Sequence, residues 1–159
     1  GPKLALSITA AAEHFTATWA AHGLSSGYLE QHITNQNLLD FMQWHAVEEI
    51  EHKHVAFDVL QEVDDSYLLR VAGMLFCAAL LPFVISVAFV SLATQAKNLD
   101  IFAFFRDGIS EGKNGSIISS FFPAIVEYFK PGFHPSDHDD YAMAKAVADR
   151  IEKRMENVA

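Results

Sequence analysis

The sequence predicts an all-α chain, a helical bundle around one core. Apolar residues recur at three- and four-residue spacing through most of the chain, while strand-like alternation is nearly absent. Turn signals, among them "GLSSG" at 23–27, "DDS" at 64–66 and "KPG" at 130–132, separate segments of helical length. Apolar residues make up 51% and charged residues 19%, a balance that gives a globular and greasy chain and excludes a disordered one. At 159 residues the chain is expected to form a single domain, 1–159, with enough material for one core.

The first helix is expected over about 5–22, ended by His22-Gly23 and the small-residue turn after it. A second runs from about Asn35 to Val63, and a third from about Tyr67 to Ala96, with an aspartate or Ser66 as its cap. Shorter helices follow at about 99–109 and 116–129. The stretch "KPGFHPSDHDD" reads as a Pro/Gly turn, from which a final polar helix starts near 138. Its His134, Asp137, His138, Asp139 and Asp140 are read as turn and helix-start residues rather than a second metal site.

The second helix carries the chemistry. "WHAVEEIEHKHVAFD", residues 44–58, holds three histidines, three glutamates and an aspartate. Projected at about 100° per residue from His45, Glu49 lies at roughly +40° and His52 at roughly −20°. Leu38, Phe41 and Met42 continue that stripe on one side, and Ala56, Val59, Leu60 and Val63 on the other. The stripe is therefore expected to face the core, interrupted for two turns by His, Glu and His. Glu51, His54 and Asp58 project to the opposite side, and Glu48 sits on the shoulder at roughly −60°. A buried carboxylate and two imidazoles need a common partner, and a metal ion suits all three. Imidazole nitrogen with carboxylate oxygen fits iron, manganese or zinc. The Glu-x-x-His spacing of Glu49 and His52 is the arrangement found in ferritin-like di-iron and di-manganese bundles.

In the first helix Glu13 shares a face of small residues with Ala10, Ala17 and Ala20, and is read as a bridging metal carboxylate. His14 points about 100° away and is expected at the surface or behind the ligands. Residues 71–96 contain no charged side chain. That length crosses a bilayer at 1.5 Å per residue. Arg70 before it and Lys97 after it give no basic asymmetry, so the preferred reading is a buried or dimer-forming helix, with membrane contact through 71–96 as the alternative.

A net charge of −9 argues against nucleic acid and against electrostatic attachment to anionic lipid. The lone Cys77, in an apolar run, makes no internal disulfide and is expected to be inert in the core, which fits a reducing compartment. No secretory-signal pattern opens the sequence, so the expected location is cytoplasmic, with association to the inner membrane as the variant. Gly1-Pro2 reads as a protease scar, so upstream helices are expected to be missing.

"ITAAAEHFTA" at 8–17 and "WHAVEEIEHKHVAFDV" at 44–59 resemble bacterial proteins labelled predicted metal-dependent hydrolases; "YLLRVAGMLF" and "FKPGFHPSDHDD" resemble the same family's hydrophobic segment and Phe-His-Pro turn. More distantly, one Glu followed by His-x-x-x-Glu-x-x-His is similar to the second half of ferritin-like di-iron N-oxygenases. That resemblance implies a ferritin-like bundle, or its C-terminal part, with Glu13 bridging, Glu49 and His52 as helix ligands and His45 as an extra imidazole. Such enzymes carry another Glu and another Glu-x-x-His, which nothing before Glu13 supplies. A missing upstream segment or a second copy around a twofold axis would supply them.

The resulting expectation is a di-iron enzyme that oxidises a small apolar or aromatic substrate with O₂. The alternative is a hydrolase using metal-activated water with Glu48 as base, and a third reading is a non-enzymatic metal-binding or membrane-associated bundle. A homo-oligomer is expected because half a bundle leaves apolar faces uncovered.

Overall fold

The computed structural model describes residues 1–95 and 117–157. Seven α-helices follow in order: α1 (Pro2–Ser25), α2 (Tyr28–His32), α3 (Gln36–His52), α4 (Val55–Val63), α5 (Tyr67–Gln95), α6 (Ile117–Tyr128) and α7 (Tyr141–Glu156). A short 3-10 turn, Pro135–Asp137, lies between the last two, and there is no strand among the described residues. The chain is all-α. The helix expected at 99–109 lies outside the described residues.

Local chemistry sets the boundaries. Pro2 occupies the first turn of α1, where its missing N–H costs nothing. Gly27, at φ 68°, makes the left-handed step into α2 that other residues resist. Asn35 caps α3, its side-chain oxygen accepting from the Leu38 amide at 3.1 Å. Asp64 closes α4, accepts from the Ser66 amide at 3.1 Å and pairs with Lys3 at 2.9 Å.

α1 contacts all six other helices and threads two apolar clusters. Ala10, Ala11 and Phe15 pack with Phe57 and Leu60 of α4, Met74 and Cys77 of α5, Ala124 and Tyr128 of α6, and Phe133. Further along, Ala20 packs with Ala46, Val47 and Ile50 of α3 and Ala144 of α7. The alanines let α1 approach its neighbours closely. α5 comes nearest: a Cβ built on Gly73 would lie 2.6 Å from the Ser7 carbonyl, and the Ser7 hydroxyl donates to the Leu69 carbonyl at 2.8 Å.

Three sequence expectations are corrected. The second helix, expected unbroken from Asn35 to Val63, divides at Lys53-His54 into α3 and α4. No Gly or Pro marks the break. Lys53 is pulled inward, its Nζ donating to the His138 carbonyl at 2.6 Å and approaching Asp140 at 3.3 Å over the ring of Tyr141. Secondly, the apolar helix expected to be buried or dimer-forming is not buried within the chain: only 6% of the most apolar eighteen-residue stretch of α5 is covered. Thirdly, Leu38 and Phe41, read as core, are 50% and 57% exposed.

The turn after α6 is held by Arg70. Its guanidinium is buried among the rings of Phe57, Tyr67 and Tyr128 and donates to the carbonyls of Lys130 (2.9 Å) and Phe133 (3.4 Å). His134 caps the 3-10 turn: its Nδ1 accepts from the Ser136 amide at 3.2 Å, so Nε2 carries the proton and donates to Asp58 at 2.8 Å.

A candidate metal centre between α1 and α3

α3 packs onto α1 and α7 through Gln43, Ala46, Val47 and Ile50, which are buried. On the helical wheel the centre of that set lies roughly 140° from the centre of His45, Glu49 and His52. The three candidate ligands share a face, but it is a flank of the α1–α3 contact and not the core side. Periodicity identifies residues that point together; it does not identify what they point at.

At this flank Glu13 of α1 meets α3. Glu13, Trp44, His45, Glu48, Glu49 and His52 line one cleft of about 290 Å³. His45 Nε2 lies 3.5 Å from Glu49 Oε1, and His52 Nδ1 lies 3.9 Å from Glu48 Oε2. The imidazoles are more than half exposed, at 53% and 61%, and so free to change rotamer, whereas Glu49 is 27% exposed and held against the bundle. Phe41 stacks on the His45 ring with planes 9° apart.

The electrostatics are those of a site awaiting positive charge. Three carboxylates line the cleft and no lysine or arginine does. The Glu13 carboxyl is pushed above its ordinary range, first by loss of water and then by the negative charge of Glu49; nearby His52 partly offsets this. Among the described residues no three His, Cys, Asp or Glu side chains close on a common point. The donor chemistry, imidazole nitrogen with carboxylate oxygen, fits a divalent metal.

A second polar cleft, of about 340 Å³, was missed from sequence. His14, expected at the surface or behind the ligands, is buried there and donates from Nε2 to the Ala124 carbonyl at 3.0 Å. Lys53, Glu127, His138 and Asp140 line the same cleft, with His138 Nε2 2.8 Å from Glu127. The available signal was the small-residue surface running around α1, with Ala10, Ala11, Ala17 and Ala20, which implies neighbours on several sides. Glu51 and Asp58 are exposed as expected, while His54 is half-buried with its Nδ1 3.2 Å from the Tyr141 hydroxyl.

No curated protein and no solved structure matches the chain. A family model described as predicted metal-dependent hydrolase matches residues 1–139, a span containing both clefts except for Asp140. The carboxylate and imidazole chemistry of the α1–α3 flank is in keeping with that description, and the chain belongs to the family of predicted metal-dependent hydrolases.

Proposed function

We propose that the chain is a hydrolase whose α1–α3 cleft binds a metal on Glu13, His45, Glu49 and His52. The observation that carries this is the cleft lining: three carboxylates and two imidazoles, with no lysine or arginine among them. Glu13 and Glu49 approach from opposite helices and supply the anionic oxygens, while His45 and His52 supply nitrogen from the exposed edge. A bound divalent metal lowers the pKa of water far enough to provide hydroxide near neutral pH. Glu48, on the same cleft, would serve as the base that takes a proton from such a water. Trp44 gives the cleft an apolar wall suited to a small apolar substrate.

Zinc, manganese and iron all suit this donor set. The O₂-dependent di-iron reading draws on the order of Glu13, His45, Glu49 and His52 and on the Glu-x-x-His spacing. It needs further donors laid over the exposed stripe, which an identical set from a second copy would supply. Elemental analysis together with an optical spectrum separates the two: a colourless metalloprotein that cleaves ester or amide probes is expected, and an O₂-sensitive iron chromophore without hydrolysis would favour oxidation. Glu49→Ala is expected to abolish stoichiometric metal binding, while Glu51→Ala, about 160° away on the wheel, leaves it nearly intact. Equal loss in both variants would remove the ligand assignment.

A further inference from the structure

We infer that the exposed part of α5, from Ala79 to Gln95, inserts into the hydrocarbon of a lipid bilayer, with the helices packed around α1 together on one side of the membrane. The first part of α5 belongs to the protein, with Arg70, Gly73, Met74 and Cys77 buried against α1 and its neighbours. From Ala79 to Gln95 no residue is buried. Phe83, Val87 and Val90 are exposed on one side of this length, Ile85 and Leu92 on the other. A protein partner covers one stripe of a helix; apolar side chains all the way round suit lipid.

The polar side chains of this stretch point to the same surroundings. Ser86 donates to the Pro82 carbonyl at 2.7 Å, Thr94 to the Ser91 carbonyl at 2.8 Å, and Gln95 to the Ser91 carbonyl at 2.9 Å. The Ser86 and Thr94 hydroxyls and the Gln95 amide nitrogen thus donate within the helix, as hydrocarbon favours. No Asp, Glu, Lys or Arg occurs between Arg70 and Lys97.

Topology excludes a single crossing. Cys77, where α5 leaves the bundle, and Ala124, on α6, lie in the same apolar cluster. One passage across the bilayer would put them on opposite sides. The free length of about 17 residues reaches about 25 Å, slightly less than the ~30 Å of a hydrocarbon core. With a net charge of −9, attachment rests on apolar burial and not on attraction to anionic lipid.

Flotation of the full chain with vesicles tests this. The protein should float equally with pure phosphatidylcholine and with phosphatidylcholine–phosphatidylglycerol vesicles, and should stay bound in high salt. Val87→Asp combined with Val90→Asp should lower partitioning roughly tenfold or more while leaving the circular dichroism unchanged, because both positions are exposed. Protein left at the bottom of the phosphatidylcholine gradient would overturn the inference, as would flotation confined to anionic vesicles and lost in salt. A nitroxide at Ile85→Cys, in a Cys77→Ser background, should collide often with O₂ and rarely with a water-soluble nickel chelate once vesicles are present. Low collision with both reagents would instead show a protein covering α5, and would overturn the inference even if the chain floats.

Discussion

Burial decides the charge of His14. Its ring lies between Tyr128 and Phe133, with centroids 5.2 and 5.1 Å away, and loss of water pushes its pKa below the ordinary value; the bond to Ala124 and the charge of Glu127 only partly oppose this, and His138 and Lys53 reinforce it. A histidine with a depressed folded-state pKa binds fewer protons folded than unfolded. Stability from this group is therefore complete above the unfolded pKa and declines as pH falls below it, levelling off beneath the folded pKa. Unfolding free energy should rise as pH is raised toward the ordinary histidine pKa in the parent chain, and His14→Gln should flatten that slope, as measured by urea titrations at a series of pH values. Glu13 has the opposite sign in a more acidic window. Its raised pKa makes the folded chain hold a proton the unfolded chain releases, so its contribution falls as pH rises through that window.

At the level of the element, the contact between α1 and α5 rests on one missing side chain. A methyl group at position 73 would meet backbone atoms of Ser7, which cannot swing aside as a side-chain tip can. Gly73→Ala should therefore destabilise despite its better helix propensity, toward the upper end of the ~1–3 kcal/mol typical of overpacking, read as a lowered midpoint in chemical denaturation. Most of the helices were legible in the sequence because their caps and breakers are local: Asn35, Asp64 and Ser66, and the Pro131-Gly132 turn; the five-residue α2, between the 23–27 turn and Asn35, was not. The division at Lys53-His54 was not, because its cause lies in His138, Asp140 and Tyr141, more than eighty residues away. The same limit applies to the site. Spacing placed His45, Glu49 and His52 on one face, and only the packing of Ala46, Val47 and Ile50 showed that this face flanks the core. His14 escaped because a single helical wheel assumes one buried side, and α1 is enclosed by several helices.

On the scale of the molecule, two of the uncovered apolar surfaces among the described residues differ in kind. The lipid-like surface of α5 extends around its helix, whereas Leu38, Phe41 and Trp44 form one edge beside the metal-ligand candidates. An edge of that sort suits a second copy, related by a twofold axis and bringing its own Glu49 and His52 close. Light scattering coupled to size exclusion, run in detergent so that α5 is masked, should give a dimer, and Phe41→Glu with Leu38→Glu should return it to a monomer. A monomer in the parent chain would remove the second copy from the site.

The central position of α1 also shapes how the chain reaches its fold. The bond from His14 to Ala124 joins residues 110 apart in sequence, and Arg154 reaches back to Asp40 across 114. Helical proteins usually fold quickly because their contacts are local, and the rate falls as the average loop to be closed grows longer. Here an all-helical chain includes closures of more than a hundred residues. During synthesis α1 is made about a hundred residues before α6 and α7 can cover it. Until then its alanine-rich surface stays open on the sides those helices will occupy, so the helix that organises the bundle is among the last to be fully enclosed.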